Sequence, residues 1–181
     1  MTSVNTLFFV KRAKIGCVSG LVGGFAIFVS IFVIDLSLAS APGTFYKMVG
    51  LPVGMSGIEA TIFGMLSHMM TAALIGTVFG IGSGLSRRLD IFSVKKGAIA
   101  GMVTGLVVFF VFFIPISMLV MIPTIHEHYS DTGGAAVLLS NTAMILAGSL
   151  EMHVVYGVVM GVFFAIAVQY ESKRQIVFHE A

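Results

Sequence analysis

The sequence predicts an all-α integral membrane protein with four transmembrane helices. Of its 181 residues, 57% are hydrophobic and only 10% are charged, with a mean hydropathy of +1.05. A water-soluble domain does not normally carry this composition. Several runs of more than about 18 residues are almost free of charge, which is long enough to cross a bilayer. Basic residues cluster at one end of each run, as they do in membrane helices with a fixed orientation.

The apolar runs and their breaks set the expected helices. We expect them to span residues about 13–40, 58–85, 94–121 and 142–169. The first run is too long for the apolar part of a signal peptide, so we interpret it as an uncleaved helix. Pro115 predicts a kink in the third helix and Pro123 its end. Phe45 and Tyr46, between the first two helices, are typical of an aromatic interface belt.

The positions of the basic residues predict the orientation. Nine of the ten Lys and Arg residues precede the first helix, lie between the second and third, or follow the fourth, and only Lys47 falls elsewhere. The positive-inside rule therefore places both termini in the cytoplasm and the loops at 42–57 and 122–141 outside the cell membrane. The bilayer, and not a nucleic acid, is the partner that these charges indicate. Asp35 and Glu59 are expected at the outer interface, where a charge costs little.

The two halves of the chain repeat the same pattern. Glycines four residues apart open the first helix of each half, and His68 and His153 are each followed by a glycine and a phenylalanine at the same spacing. Fixed-period similarity predicts two parallel two-helix repeats, about 13–85 and 94–169, related by an axis along the membrane normal. Small residues four apart form one stripe of a helix and favour close packing. The predicted helix-packing glycines are Gly16, Gly20, Gly24, Gly76, Gly80, Gly97, Gly101, Gly105, Gly157 and Gly161.

The duplicated glycine spacing after Lys14 and Lys96, together with the segments His68–Ile81 and His153–Ile166, resembles that of YagU-like small inner-membrane proteins. The resemblance implies a bundle of short glycine-rich helices and carries no biochemistry, because none is established for that family. By composition the chain is also similar to accessory subunits of copper membrane monooxygenases, which are small, helical and without the catalytic ligands.

His68 and His153 are the first candidate site. They occupy matching positions in the second and fourth helices, so equal depth is expected. If the small-residue stripes of those two helices meet, the two rings approach each other. An interhelical hydrogen bond that fixes the packing is the first interpretation. Ligation of haem b or copper, and proton transfer, are the alternatives, because imidazole binds metals and titrates near neutrality.

Two further groups of polar residues are candidates. Glu151 breaks the repeat and could handle protons, pair with a neighbouring helix or lie at the interface. It is two residues from His153, so the two side chains do not share a helix face. His126, His128 and Asp131 could bind zinc or copper, because residues two apart point the same way in an extended segment. A hydrated loop is the alternative, since these residues complete no known metal-site spacing.

The sequence contains no phosphate loop, nucleophile constellation or nucleic-acid motif. Four long helices with glycine-rich faces and little mass outside the bilayer therefore favour a non-catalytic protein. We expect it to pack as a structural or accessory subunit against other membrane subunits or a second copy of itself. The alternatives are a haem or copper protein that uses His68 and His153, and a small proton-linked transporter or channel.

Overall fold

The structure is a computed structural model that describes residues 3–37, 40–129 and 139–179. Within these ranges it contains helices and no strand. The long helices and the short one between the first two are α1 (Ser3–Ser37), α2 (Thr44–Gly50), α3 (Gly57–Ser83), α4 (beginning as Val94–Val108) and α5 (Thr142–His179). A single 3₁₀ turn, Leu51–Val53, follows α2.

Within the described residues, four helical segments are long and apolar enough to cross a membrane, which confirms the prediction of four long apolar helices. These segments are Thr6–Ser37, Gly57–Ser83, Val94–Glu127 and Thr142–Lys173. The predicted end of the third helix was wrong. The helix continues through Pro123 to Tyr129, and the wide turn Ser117–Met121 directly before this proline accommodates a residue whose ring crowds the preceding turn. The first helix ends at Ser37, short of residue 40, and α5 extends past residue 169.

Pro115 widens α4 where a kink was expected. After Val108 the helix passes through the wide turns Phe109–Phe113 and Ser117–Met121, in which the amide that closes each turn reaches back five residues. Proline has no N–H, and its ring clashes with the carbonyl of the preceding turn. A wider π-type turn removes that clash without ending the helix. The name α4 is used below for the whole run from 94 to 129.

Two hairpins are closed by glycine seams. In the first hairpin (residues 3–83), a β-carbon on Gly16 or Gly20 would overlap a backbone carbonyl of α3. In the second hairpin (residues 94–179), a β-carbon on Gly97 or Gly101 would overlap a carbonyl of α5. The helices of each hairpin therefore touch backbone to backbone, which only glycine permits. Between the hairpins the principal contact is α1 against α5.

The stripes of α3 and α5 do not face each other, contrary to the expected meeting of the two rows. Gly76 and Gly80 lie against α1, whereas Gly157 and Gly161 lie against α4. Each stripe is therefore used inside its own hairpin. The two histidines face a space between the hairpins that is lined partly by seam residues, such as Ala72, and partly by residues beside the seams.

A short helix, α2, occupies the segment that was expected to be an outer loop. It sits on α3 because Gly64 leaves room for the Tyr46 carbonyl and Gly50 for Ala60. Asp35, which was expected at the outer membrane interface, is fully buried within the protein two residues before the end of α1. Its carboxylate accepts hydrogen bonds from the Gly43 amide at 2.8 Å and the Phe45 amide at 3.1 Å. These are the free amides at the start of α2, so Asp35 caps a helix from a distance in sequence.

The opposite end of the bundle is tied by a buried arginine. The Arg12 guanidinium pairs with Asp90 at 2.6 Å and donates to the Ser83 hydroxyl at 3.3 Å. The rings of Phe8, Phe92 and Phe164 surround it at 5.2–5.7 Å. A buried charge must be paired and hydrogen-bonded to be tolerated. This cluster joins α1, the link between hairpins and α5 at the end where most basic residues lie.

Candidate functional site

A cavity of about 260 Å³ lies between the two hairpins, and all five helices contribute to its wall. α1 supplies Ile27 and Ile31, and α2 supplies Phe45, Tyr46 and Val49. The stretch of α4 that Pro115 widens supplies one side, with Val108, Phe112, Phe113, Ile116 and Met121. The remaining wall comes from α3 and α5 and carries the polar groups: Ser67, His68, Thr71, Ser149, His153 and Tyr156.

The structure brings His68 and His153 to this one cavity. Both rings are partly buried. The glycine seams position them: the His153 carbonyl packs where a β-carbon of Gly105 would stand, and the His68 ring lies against the Gly24 carbonyl. The two rings therefore face the space between hairpins and not the outer surface.

Each imidazole has one nitrogen occupied by a carbonyl. His153 Nδ1 lies 2.7 Å from the Ser149 carbonyl oxygen, and His68 Nε2 lies 3.4 Å from that of Gly24. A carbonyl only accepts, so these nitrogens carry the protons that are donated. In the neutral ring the other nitrogen, Nε2 of His153 and Nδ1 of His68, keeps its lone pair. Each of the two histidines that line the cavity thus has one ring nitrogen that can accept a hydrogen bond.

Three hydroxyls add to the polar lining. The side-chain hydroxyls of Ser67, Thr71 and Ser149 make no hydrogen bond to any other residue that the structure describes. Elsewhere in the helices hydroxyls donate to a carbonyl one turn back, as Thr77 and Thr104 do at 2.8 and 2.9 Å. The cavity hydroxyls can therefore donate or accept toward a molecule inside the cavity.

Two tyrosines line the same cavity, and sequence reasoning did not select either of them. The Tyr156 hydroxyl donates to the Ala72 carbonyl at 2.8 Å and ties α5 to α3. Tyr46 was expected in an interface belt but is 1% exposed and packs edge-on against His68 with ring centroids 5.6 Å apart. Burial, with the nearby Asp35 charge as a second cause, raises the pKa of the Tyr46 phenol. One signal could have indicated Tyr156: it stands three residues after His153, on the same helix face.

The cavity lining is electrically neutral. Among the described residues, no Asp, Glu, Lys or Arg contributes to the wall. Glu151 lies instead on the exposed side of α5 and does not line the cavity. The structure therefore does not bring it together with the two histidines, as a shared role in proton handling would require. The walls that carry no polar group are aromatic or aliphatic. Phe109 and Phe113 hold the His153 ring at centroid distances of 5.4 and 5.0 Å.

A smaller pocket of about 40 Å³ lies next to the cavity. The two share Phe45, Phe113 and Met121 as a common wall. The far wall of the smaller pocket includes Leu139 and Ile145, close to where α5 begins. Phe45, Phe113 and Met121 therefore separate the main cavity from the small pocket beside the start of α5.

The structure does not have the backbone conformation that was expected for the possible metal ligands His126 and His128. Residues 122–129 are helical, so the extended backbone that would align positions 126 and 128 is absent, and that part of the prediction was wrong. His126 is exposed. Asp131 and the side chain of His128 lie outside the part of the chain that the structure describes. No group of three or more His, Cys, Asp or Glu residues is close enough to hold a metal within the described ranges.

Haem and copper place different demands on the two cavity histidines. An engineered cavity of about 150 Å³ binds benzene, so 260 Å³ accommodates about ten non-hydrogen atoms. A haem is far larger than this, and the cavity does not fit it. A copper ion is small enough, and the two available imidazole nitrogens are of the right type. Copper binding by His68 and His153 stays a prediction.

The fold and the cavity define the class of this chain: within the described residues it is all-helical, its four long helices fit a multi-pass membrane protein, and a neutral, partly open cavity lies between its two hairpins. The chain matches no protein-family model, no curated protein and no solved structure. Its function must therefore be inferred from the cavity itself.

Proposed function

We propose that this chain is a non-catalytic multi-pass protein of the cell membrane that binds a small, largely apolar molecule between its hairpins. The observation that supports the proposal is the cavity of about 260 Å³ with apolar walls and a few polar groups on one side. Small-molecule sites are typically concave and apolar, with a few polar groups that fix orientation. The cavity accommodates about ten non-hydrogen atoms by comparison with cavities that bind benzene.

The proposed orientation places both termini in the cytoplasm. The buried Arg12–Asp90 pair and the bond from Lys96 to the Asp90 carbonyl at 2.6 Å gather basic residues at one end of the bundle, which supports this orientation under the positive-inside rule. His68 is fifteen residues before the end of α3 at Ser83, or about 22 Å along the helix. In this orientation the cavity lies in the outer half of the bilayer and is reached from lipid or from outside.

We also propose that the two hairpins arose by duplication. Gly16 and Gly20 meet α3 through carbonyl contacts, and Gly97 and Gly101 meet α5 in the same way. Glycines at matching positions of the two halves thus make equivalent helix–helix contacts, which supports an internal repeat. A duplicated hairpin supplies two similar surfaces, and the space left between them is the proposed binding site.

The binding role is tested with a neutral aromatic probe. Purified protein in nanodiscs is titrated with 2-fluoronaphthalene and observed by ¹⁹F NMR, with empty nanodiscs as the measure of lipid partitioning. We expect a distinct bound signal that saturates at one probe per chain. A signal that only scales with lipid content would refute the proposal.

A pair of adjacent substitutions locates the probe. Val108 lines the cavity, whereas Val107 is 49% exposed on the outer face of α4. Val108→Phe fills part of the cavity, so we expect at least tenfold weaker binding of 2-fluoronaphthalene. Val107→Phe adds the same ring toward lipid and should bind like the unsubstituted protein. Equal effects of the two substitutions would place the probe outside the cavity.

A second role, assembly with other membrane subunits or with a second copy, is supported by Glu151. This carboxylate is exposed on α5 nine residues after its start at Thr142, about 13 Å along a segment long enough to cross a membrane. An ionisable group facing lipid is costly and is usually covered or paired. Native mass spectrometry in mild detergent tests this role: we expect an oligomer or a co-purifying chain, weakened by Glu151→Leu. A stable lone monomer would refute it.

A further inference from the structure

We propose that the cavity selects a neutral aromatic molecule that carries a hydroxyl group, a phenol. The inference rests on the proposed binding role and adds the chemical class of the ligand. Three features of the cavity, within the part of the chain that the structure describes, support this inference: the hydrogen-bonding atoms that have no partner in the protein, the absence of charge in the lining, and the aromatic residues of the wall.

The two imidazoles require a donor. His153 and His68 each use one ring nitrogen to donate to a carbonyl, at 2.7 and 3.4 Å. The remaining nitrogen of each neutral ring can only accept. A ligand that offers only acceptors, such as a ketone or an aldehyde, leaves both lone pairs without a partner. A ligand hydroxyl can donate its hydrogen to one of them. A ligand without a hydroxyl leaves that nitrogen desolvated and unpaired, and this cost makes the site prefer the hydroxylated ligand.

The free hydroxyls of the cavity complete the arrangement. Ser67 and Thr71 stand next to His68 on α3, and Ser149 stands one turn before His153 on α5. A hydroxyl of the protein can donate to the oxygen of a phenol while the phenol donates to an imidazole. A single hydroxyl group on the ligand therefore makes two hydrogen bonds, one of each kind.

The absence of charge in the wall selects a neutral ligand. No acidic or basic side chain among the described residues lines the cavity, and an unpaired ion in an apolar interior is strongly disfavoured. Carboxylates, phosphates and ammonium compounds are therefore excluded from this cavity, whereas a protonated phenol enters it without a counter-ion.

The shape of the wall favours a ring. Phe112 and Phe113 of α4 face the cavity, with Phe45 and Tyr46 from α2. Aromatic rings pack on one another in stacked or edge-to-face arrangements that add to the effect of simple burial. The turns that widen α4 around Pro115 hold Phe113 beside His153, with ring centroids 5.0 Å apart. The apolar ring of the ligand can thus pack on the aromatic part of the wall while its hydroxyl bonds to the adjacent histidine.

The test compares three ligands of similar size in competition with bound 2-fluoronaphthalene, each corrected for its own partitioning into empty nanodiscs. They are 2-naphthol, 2-methylnaphthalene and 2-naphthaldehyde. We expect 2-naphthol to displace the probe at about tenfold lower concentration than either other compound, a difference of about 1.4 kcal/mol. Equal displacement by 2-naphthol and 2-methylnaphthalene overturns the inference, and so does equal displacement by 2-naphthaldehyde.

Substitutions assign the selectivity to the two rings. His68→Phe and His153→Phe keep an aromatic side chain and remove the accepting nitrogen, so at least one of them should reduce the preference for 2-naphthol to threefold or less. His126→Phe is the control, because His126 is exposed and does not line the cavity. An unchanged preference in both cavity variants overturns the assignment. The comparison of ligands on the unsubstituted protein remains decisive if a variant fails to fold.

The two proposals fail in different ways. If 2-fluoronaphthalene does not bind to the protein at all, the binding role is refuted. If it binds and is displaced equally by all three ligands, the cavity binds apolar molecules without selecting a hydroxyl, and only the present inference is refuted.

Discussion

The glycine seam between α4 and α5 gives the sharpest test of the packing. A β-carbon added at Gly101 would overlap the Gly157 carbonyl and lie 3.0 Å from the Gly161 α-carbon. Both neighbours are backbone atoms, so no side-chain rotation relieves the contact. Overpacking of this kind costs about 1–3 kcal/mol, and the alanine returns about 1 kcal/mol through its higher helix propensity. From the upper part of that range we expect Gly101→Ala to lose about 2 kcal/mol of stability.

The control lies in the first hairpin. A β-carbon at Gly82, near the end of α3, would meet no atom within 4 Å, so Gly82→Ala should be neutral or stabilised by up to about 1 kcal/mol. Both variants are unfolded reversibly in mixed micelles by increasing the mole fraction of denaturing detergent, and the free energies of unfolding are compared. Gly101→Ala as stable as Gly82→Ala would refute the backbone contact between α4 and α5.

Two further substitutions test hydrogen bonds between distant segments, in the same unfolding assay. Asp35→Asn replaces one accepting oxygen by an NH₂ group, which leaves an amide at the start of α2, such as that of Phe45, without a partner. We expect a loss of about 1–3 kcal/mol, whereas Glu59→Gln, an exposed carboxyl, should change little. Tyr156→Phe removes the bond to α3 and should cost about 0.5–1.5 kcal/mol, against no loss for the exposed Tyr170→Phe. A loss in the controls equal to that in the test variants would contradict both assignments.

The crossing helices could be predicted because their signal is local. Length, apolar content and the absence of charge specify a membrane helix without knowledge of its neighbours. Pro115 was also a local signal, but its outcome depended on context: wide turns precede both Pro115 and Pro123, and the helix continues through both prolines. A proline in the sequence shows that one backbone hydrogen bond is lost, but it does not specify how the helix adjusts to that loss.

The site could be predicted only in part. The duplication pointed to His68 and His153, which do line one cavity, but the stripes that were expected to bring them together pack elsewhere. Small residues four apart indicate a close helix contact and do not name the partner helix. α2 was missed for a related reason. The start of α2 depends on Asp35, which lies eight and ten residues before the two amides that its carboxylate caps. A hydrogen bond over that distance in sequence leaves no local pattern from which α2 could be predicted.

The two seams have a mechanical consequence for the space between them. Inside each hairpin the backbones touch, so any sliding there would drive carbonyls into glycines. Between hairpins most contacts are made by larger side chains such as Ile27, Tyr156 and Met160, and one close approach is made by Gly23, which lies against the Tyr156 carbonyl. We therefore expect one pair of helices to rock against the other, about the close contact at Gly23, more easily than the two helices of either pair slide past each other. Such a rocking would alter the cavity volume directly, with the Tyr156 hydroxyl bond to α3 as the restraint that it must release.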